Sequence, residues 1–126
     1  MMKILCATAL ALALFVAAPA LAEDAMTNAE LTQLLSGGKT IGLGGPGEGY
    51  NGELTLNPDG TGKGTAKTDD GKVLTLTGTW RIDGDHFCPT WQEFNDGKEV
   101  CETWIKDGPS KVKVMKDGEQ IGVNYW

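Results

Sequence analysis

The sequence predicts an all-β domain, an antiparallel up-and-down meander of seven to eight strands in a small barrel or strongly curved sheet, with one short N-terminal helix. The first observation is a repeated dipeptide. Asp-Gly occurs six times, starting at positions 59, 70, 83, 96, 107 and 117, so its copies are 10 to 13 residues apart. Glycine tolerates the positive φ of tight turns and aspartate often precedes it there. Six turns separate seven strands, and residues 40–44 are a candidate eighth.

The second observation is the alternation of side chains between these turns. A strand with one buried face has apolar residues at every second position, and one segment fits this pattern with Leu74, Leu76, Gly78, Trp80 and Ile82. A three-residue loop at the first Asp-Gly pairs Leu56 with Gly62. A similar loop at the second pairs Ala66 with Leu74. Both registers place small or apolar residues on one face, and a slip of one residue would destroy the match.

Two later turns extend the same face. A two-residue turn at Asp83-Gly84 predicts Trp80 opposite Phe87, and one at Asp117-Gly118 predicts Val114 opposite Ile121. The predicted inner face then continues through Phe87, Trp91, Val100, Trp104, Val112, Val114, Ile121, Val123 and Tyr125.

The N-terminus has the pattern of a secretory signal peptide at residues 1–22. Lys3 precedes an apolar run, and Ala20-Leu21-Ala22 is a small-x-small cleavage pattern. The remaining residues, 23–126, form a single predicted β domain with no later run long enough to cross a bilayer. We therefore expect a soluble periplasmic or secreted protein.

Cysteine usage predicts one structural disulfide. Cys6 leaves with the signal peptide, so Cys88 and Cys101 remain, and an even count in a small exported domain favours a disulfide. Both cysteines fall on the outer face, and pairing them directly across two strands requires a loop of about six residues, 92–97. Zinc would need four ligands, and His86 is the one histidine, so we expect no metal and no cofactor.

Charge restricts the partners. The chain has 17 acidic and 11 basic residues, and Lys3 is the one charged residue of the signal peptide, so the exported part has a net charge of about −7. Nucleic acids and anionic membrane surfaces need a basic face. We therefore expect neither as a partner.

The segment before the sheet predicts a helix at about residues 28–36. Thr27 and Glu30 fit a capping box, and the leucines at 31, 34 and 35 share one face. Such a short helix is not stable alone, so it should cover an end or opening of the sheet. A Gly-rich loop at 42–49 is expected to follow, before strands at about 50–125.

One cluster offers catalytic or cation-binding groups. Asp83, Asp85 and His86 bring two carboxylates and an imidazole together. We favour a hairpin turn with polar neighbours, because Asp and Gly are the residues that such a turn requires. No catalytic residue is therefore predicted, although an enzyme using these three side chains remains an alternative.

The candidate ligand-binding residues are large side chains on the predicted inner face, together with one carboxylate: Tyr50, Trp80, Phe87, Trp91, Glu102 and Trp104. In one interpretation the tryptophans fill the space that inner-face glycines leave, which gives a closed core. In the other the glycines leave a cavity with aromatic walls, suited to a flat or apolar ligand. An inward Glu102 argues for the second, since buried carboxylates are rare without a partner, but this side chain could equally lie at the barrel rim, and the closed core is the interpretation that we favour.

Three stretches carry a family resemblance: "LSGGKT" after the helix, "GTWRIDGDHFCPTW" and "EVCETW". Together they resemble a group of small exported proteobacterial proteins of unknown function. That resemblance implies a periplasmic location and the pairing of Cys88 with Cys101. Gly78-Thr79-Trp80 is also similar to the Gly-x-Trp of lipocalin and avidin-like (calycin-like) barrels, which carry it on their first strand.

Taken together, these patterns predict a non-enzymatic extracytoplasmic binding module for a small apolar or aromatic molecule or an envelope component. A second hypothesis is a periplasmic protein-interaction or inhibitor domain that acts through its exposed loops. The third is an enzyme of unknown reaction.

Overall fold

The computed structural model describes residues 24–126, so the predicted signal peptide lies outside the described residues. The elements are α1 (Asn28–Leu35), β1 (Lys39–Gly44), β2 (Tyr50–Leu56), β3 (Thr61–Thr68), β4 (Val73–Asp83), β5 (His86–Trp91), a 3-10 turn (Asn95–Gly97), β6 (Thr103–Lys106), β7 (Lys111–Lys116) and β8 (Glu119–Tyr125). The Gly-rich loop is shorter than expected, 45–49 rather than 42–49, because residues 42–44 belong to β1.

The eight strands form one antiparallel sheet in the order β5-β4-β3-β2-β1-β8-β7-β6. Each strand therefore pairs with its neighbours in the chain except at β5–β6, and β1 also pairs with β8. The outermost strands of this order, β5 and β6, meet through isolated bridges, which makes the sheet a nearly closed barrel. All six Asp-Gly dipeptides lie at the ends of strands or in the connections between them. The predicted all-β meander with one short helix is confirmed.

The predicted registers of β2–β4 are confirmed. Leu56 lies opposite Gly62, and Ala66 lies opposite Leu74. Pairing without slippage is expected here, because a shift of one residue would expose a whole apolar face.

The register predicted between β4 and β5 is wrong by two residues. Trp80 lies opposite Pro89, and Phe87 lies opposite Ile82. The turn is centred on Gly84 and Asp85, with Gly84 at a φ of 57°. Type II′ turns require a glycine at the first of their two central positions, and this preference moved the turn by one residue. A two-residue change in pairing preserves the faces, so Phe87 still points inward.

The register predicted between β7 and β8 fails beyond the first pairs. Asp117 and Gly118 both have positive φ, as a type I′ turn requires, but a bulge follows between Val114 and Met115. Val114 therefore lies opposite Gly122 instead of Ile121. The extra residue moves Val123 and Tyr125 to the outer face, against prediction, and brings Asn124 to the inner face opposite Val112.

The helix closes one end of the barrel. Thr27 accepts the Glu30 N–H at 3.2 Å, and the Glu30 side chain accepts the Thr27 N–H at 3.3 Å, which is the predicted capping box. Leu31 and Leu35, one turn apart, are completely buried. Because α1 packs against β4 and β5 at this end, the helix covers an opening of the sheet as expected.

The core lies at the helix end, where aromatic rings fill the barrel. Phe87 packs against Trp104 with ring centroids 4.8 Å apart, and against Trp80 at 6.0 Å. Trp126 stacks on the far side of Trp104 at 6.5 Å. These rings pack with the helix leucines in one hydrophobic cluster, so this end of the barrel is a closed core.

Candidate functional site

The barrel is closed between β5 and β6 by a short seam of backbone bonds and the disulfide. Phe87 and Glu102 exchange two backbone hydrogen bonds, of 3.0 and 2.8 Å. Cys88 and Cys101 are bonded to each other, with Cα atoms 4.1 Å apart. Residues 92–97 form the loop between the paired segments, as direct pairing of the cysteines required. The predicted disulfide is confirmed, although Cys88 is buried while Cys101 is exposed.

An ion pair reinforces the outer side of this seam. Arg81, on β4, donates two hydrogen bonds of 2.7 Å to the Glu99 carboxylate, which lies across β5 from it. The guanidinium group holds the pKa of Glu99 below its ordinary value. Glu99 also lies near both sulfur atoms. Those sulfurs are bonded to each other, so this cluster offers no thiolate to a metal ion.

A cavity of about 350 Å³ occupies the half of the barrel away from the helix. It opens where the β1–β2, β3–β4, β5–β6 and β7–β8 connections gather. Its wall is mostly aliphatic and aromatic and consists of Leu43, Tyr50, Leu54, Ala66, Leu74, Leu76, Phe87, Trp91, Phe94, Asn95, Glu102, Val114, Ile121 and Asn124. The volume lies within the range of small-molecule binding sites, about 300–1,000 Å³.

Four of the six candidate ligand-binding residues line this cavity: Tyr50, Phe87, Trp91 and Glu102. Trp80 and Trp104 do not. The Trp80 indole N–H donates to two carbonyl groups in the β2–β3 connection, at 3.1 and 3.0 Å. Trp104 is 0% exposed within the aromatic core. The helix end of the inner face is therefore a closed core, and a cavity remains at the other end.

Trp91 lies in space that a glycine leaves free. A Cβ atom at Gly62 would approach the Trp91 ring to 2.8 Å, closer than packing allows. The indole therefore covers Gly62 on β3 and Gly78 on β4, and it also forms part of the cavity wall.

Tyr50 crosses the cavity mouth to reach the bulged strand. Its hydroxyl oxygen accepts a hydrogen bond of 3.0 Å from the Val123 N–H. The β1–β8 ladder ends at Leu43 and Asn124, and this hydroxyl supplies a partner for the adjacent N–H of β8. The ring is therefore fixed in place at the edge of the opening.

Glu102 is the one acidic side chain among the described residues that line the cavity. Its Oε1 accepts the Trp104 indole N–H at 3.1 Å. Burial raises its pKa to about 7, although the hydrogen bond from Trp104 acts in the opposite direction. A carboxyl group that changes charge near neutral pH thus lies at the boundary between core and cavity.

Sequence patterns did not identify several of the lining residues as part of a site. Phe94 and Asn95 come from the β5–β6 loop, where no alternation predicts a direction. Asn124 faces inward because of the bulge in β8. Leu74 and Leu76 lay on the predicted inner face, so their alternation could have placed them on the wall.

A second recess of about 260 Å³ adjoins the cavity. The two share Trp91, Asn95, Glu102 and Ile121, and the recess also has two lysines, Lys98 and Lys116, on its wall. Ile121 is 51% exposed at this rim. The opening therefore combines apolar and cationic groups near Glu102.

The acidic cluster around His86 is a hairpin turn that anchors the helix. The Asp85 carboxylate accepts the backbone N–H of Asn28 at 2.7 Å, and the Asn28 side chain donates to the Gly84 carbonyl at 2.6 Å. Asp83 lies 3.6 Å from the Arg81 guanidinium group. This geometry agrees with the turn that we favoured on sequence grounds.

Among the described residues, we find no helix with the length and apolar character needed to span a membrane. A scan against known protein families gave no match, and searches of curated proteins and of solved structures gave none either.

Proposed function

We propose that this protein is an exported binding module that holds a small apolar or aromatic molecule in the barrel cavity. The observation that carries the proposal is the cavity of about 350 Å³, with its mostly apolar wall and an opening at one end. Removing apolar surface from water contributes about 25 cal/mol per Å², so such a wall favours an apolar occupant over water. The few polar groups would orient the ligand.

The division of the barrel supports this function. Trp104 is completely buried in the core and Trp80 packs against that core without lining the cavity, whereas Trp91 covers Gly62 and lines the cavity. A barrel that needed aromatic rings only for packing would be expected to fill both halves. Rigid walls suit binding as well, because the disulfide and the Tyr50 hydrogen bond hold the strands around the opening.

Export is the second part of the proposal. Structural disulfides form and persist in oxidising compartments, and Cys88–Cys101 is of this kind. Residues 1–22 supply the expected signal. Intact-mass measurement of protein recovered from the periplasm of a bacterial host should give a chain that begins at Glu23, and a mass that retains residues 1–22 would contradict the proposal.

The binding test uses N-phenyl-1-naphthylamine, a neutral fluorophore whose emission rises in apolar surroundings. Titration into the protein should give a saturable increase. Leu74 lines the cavity, so Leu74→Trp should fill it and weaken binding at least tenfold. Val73 is adjacent in sequence but 64% exposed on the outer face, so Val73→Trp is the matched control and should bind normally. Equal binding by the two variants would overturn the cavity as the site.

A further inference from the structure

The one acidic group on the cavity wall, among the described residues, is the carboxyl of Glu102. It lies directly opposite Phe87 in the seam, at the level where the aromatic core ends. Residues directly opposite in an antiparallel pair place their side chains on the same face, so the carboxyl lies beside the Phe87 ring. A ligand that fills the cavity therefore comes within reach of Glu102.

The hydrogen-bonding capacity of this carboxyl is largely unused. Trp104 donates one hydrogen bond to Oε1, and no other protein group in the described part of the chain bonds to the Glu102 carboxyl. An ionised carboxylate accepts up to about four hydrogen bonds. The free lone pairs of the Glu102 carboxyl could thus accept a hydrogen bond from a donor on the ligand.

No cation of the described chain neutralises Glu102. The strands that surround it contribute Phe87 and Trp91 from β5, Val114 from β7 and Asn124 from β8, none of which is charged. The Tyr50 hydroxyl already accepts a hydrogen bond from the Val123 N–H of β8. Lys98 and Lys116 line the neighbouring recess, yet neither is among the ion pairs of the described residues. The missing positive charge is therefore left for a ligand to supply.

From this arrangement we infer that the cavity takes an apolar amine, whose ammonium group pairs with Glu102 while its hydrocarbon body lies along the apolar wall. The inference rests on the proposed function, because it names the class of ligand for the same cavity. A carboxylate ligand would instead face the like charge of Glu102.

Because binding is linked to the loss of a proton from Glu102, the inference predicts that affinity for an amine depends on pH. Burial raises the pKa of Glu102 to about 7, so below neutrality the free protein carries this group protonated and must release a proton to pair with a cation. Aliphatic amines stay protonated up to about pH 10. Affinity for an amine should therefore rise about tenfold between pH 6 and pH 8, and affinity for a matched alcohol should not.

The experiment compares n-octylamine, n-octanol and n-octanoate as competitors of N-phenyl-1-naphthylamine. At pH 8 we expect the amine to bind at least tenfold more tightly than the alcohol. Glu102→Gln should abolish that preference, while its amide oxygen can still accept from Trp104. Glu53→Gln makes the same chemical change on the exposed outer face and is the matched control; it should keep the preference.

Four outcomes would overturn the inference while leaving the proposed function in place. They are equal binding of amine and alcohol, tighter binding of octanoate, an unchanged preference in Glu102→Gln, and an amine affinity that does not vary between pH 6 and pH 8 in the wild-type protein. The last measurement decides the matter even if the variant fails to fold. Failure of all three competitors and of the fluorophore would contradict the proposed function itself.

Discussion

Cys88 and Cys101 lie directly opposite one another, with Cα atoms 4.1 Å apart, where β5 and β6 close the barrel. Neighbouring strands elsewhere in the described sheet share continuous ladders, whereas these two share isolated bridges. The covalent bond thus stands where two strands meet without a continuous ladder. The Arg81–Glu99 ion pair lies on the same outer side. The disulfide and the ion pair therefore supplement a small number of backbone hydrogen bonds at the closure of the barrel.

Removing the disulfide should lower the free energy of unfolding by about 3 kcal/mol, because the bond closes a loop of 13 residues in the unfolded chain. The change is Cys88→Ser together with Cys101→Ser, measured by urea denaturation. Reduced wild-type protein is the control and should unfold at a similar urea concentration. A loss below about 1 kcal/mol would mean that the seam holds without the bond.

Asp85→Ala should destabilise the protein by about 1 kcal/mol, because the carboxylate accepts a backbone N–H at the start of α1 that no earlier turn of helix can satisfy. His86 is the exposed neighbour in the same turn, and His86→Ala should change stability by less than about 0.5 kcal/mol. Thermal denaturation of both variants checks the expectation. If both variants were destabilised equally, the substitutions would be acting on the turn itself and not on the contact between Asp85 and the helix.

Trp104→Ala should mainly lower the stability of the protein, whereas Trp91→Ala should mainly weaken its binding of the fluorophore. Trp104 is completely buried, so its truncation should cost about 3–5 kcal/mol of stability. Trp91 is half-buried on the cavity wall, so its truncation should cost less and should weaken fluorophore binding more. Urea denaturation and titration of the two variants measure these effects. If Trp91→Ala bound the fluorophore like wild type, Trp91 would not belong to the site.

Glu102→Gln should stabilise the protein at pH 8 but not at pH 4.5. The pKa of Glu102 is raised from 4.5 to about 7, so the folded state holds a proton that the unfolded state releases between these values. Stability contributed by the neutral carboxyl is therefore present at low pH and is lost as pH rises through about 7. Because the side chain is partly open to the cavity, the gain in the variant should be about 1–3 kcal/mol.

The measurement is the difference in unfolding free energy between Glu102→Gln and wild type at both pH values, which cancels the titration of other groups. Glu53→Gln on the outer face should show no such change with pH. A difference of the same size at pH 4.5 and pH 8 would contradict a raised pKa.

Sequence reasoning performed well where local chemistry determines the answer. The turns required glycine, the capping box required Thr27 and Glu30, and alternation set the registers of β2–β4. It also required a six-residue loop for the disulfide. Each of these depends on a few neighbouring residues, so one sequence contains enough information.

Prediction failed where two turn positions or two registers differ little in energy, and where the packing of distant elements determines the position of a side chain. Gly84 can occupy either central position of a two-residue turn, and the choice shifted the pairing of β5. The bulge in β8 has no signature in the alternation, so the inward position of Asn124 could not be foreseen. The division of the aromatic residues between core and cavity depends on where α1 packs, which no strand pattern contains.

The attachment of α1 also bears on how a guest would leave the barrel. The helix is held to the β4–β5 turn through Asn28, and to β6 through the 3.0 Å pair of Glu30 with Lys106. Because the helix closes this end, a ligand of the proposed kind would enter and leave at the opposite end, past Tyr50, Phe94 and Ile121. The glycine-rich loop and the hairpins at that rim would then govern its residence time, and loosening the helix should leave the dissociation rate unchanged.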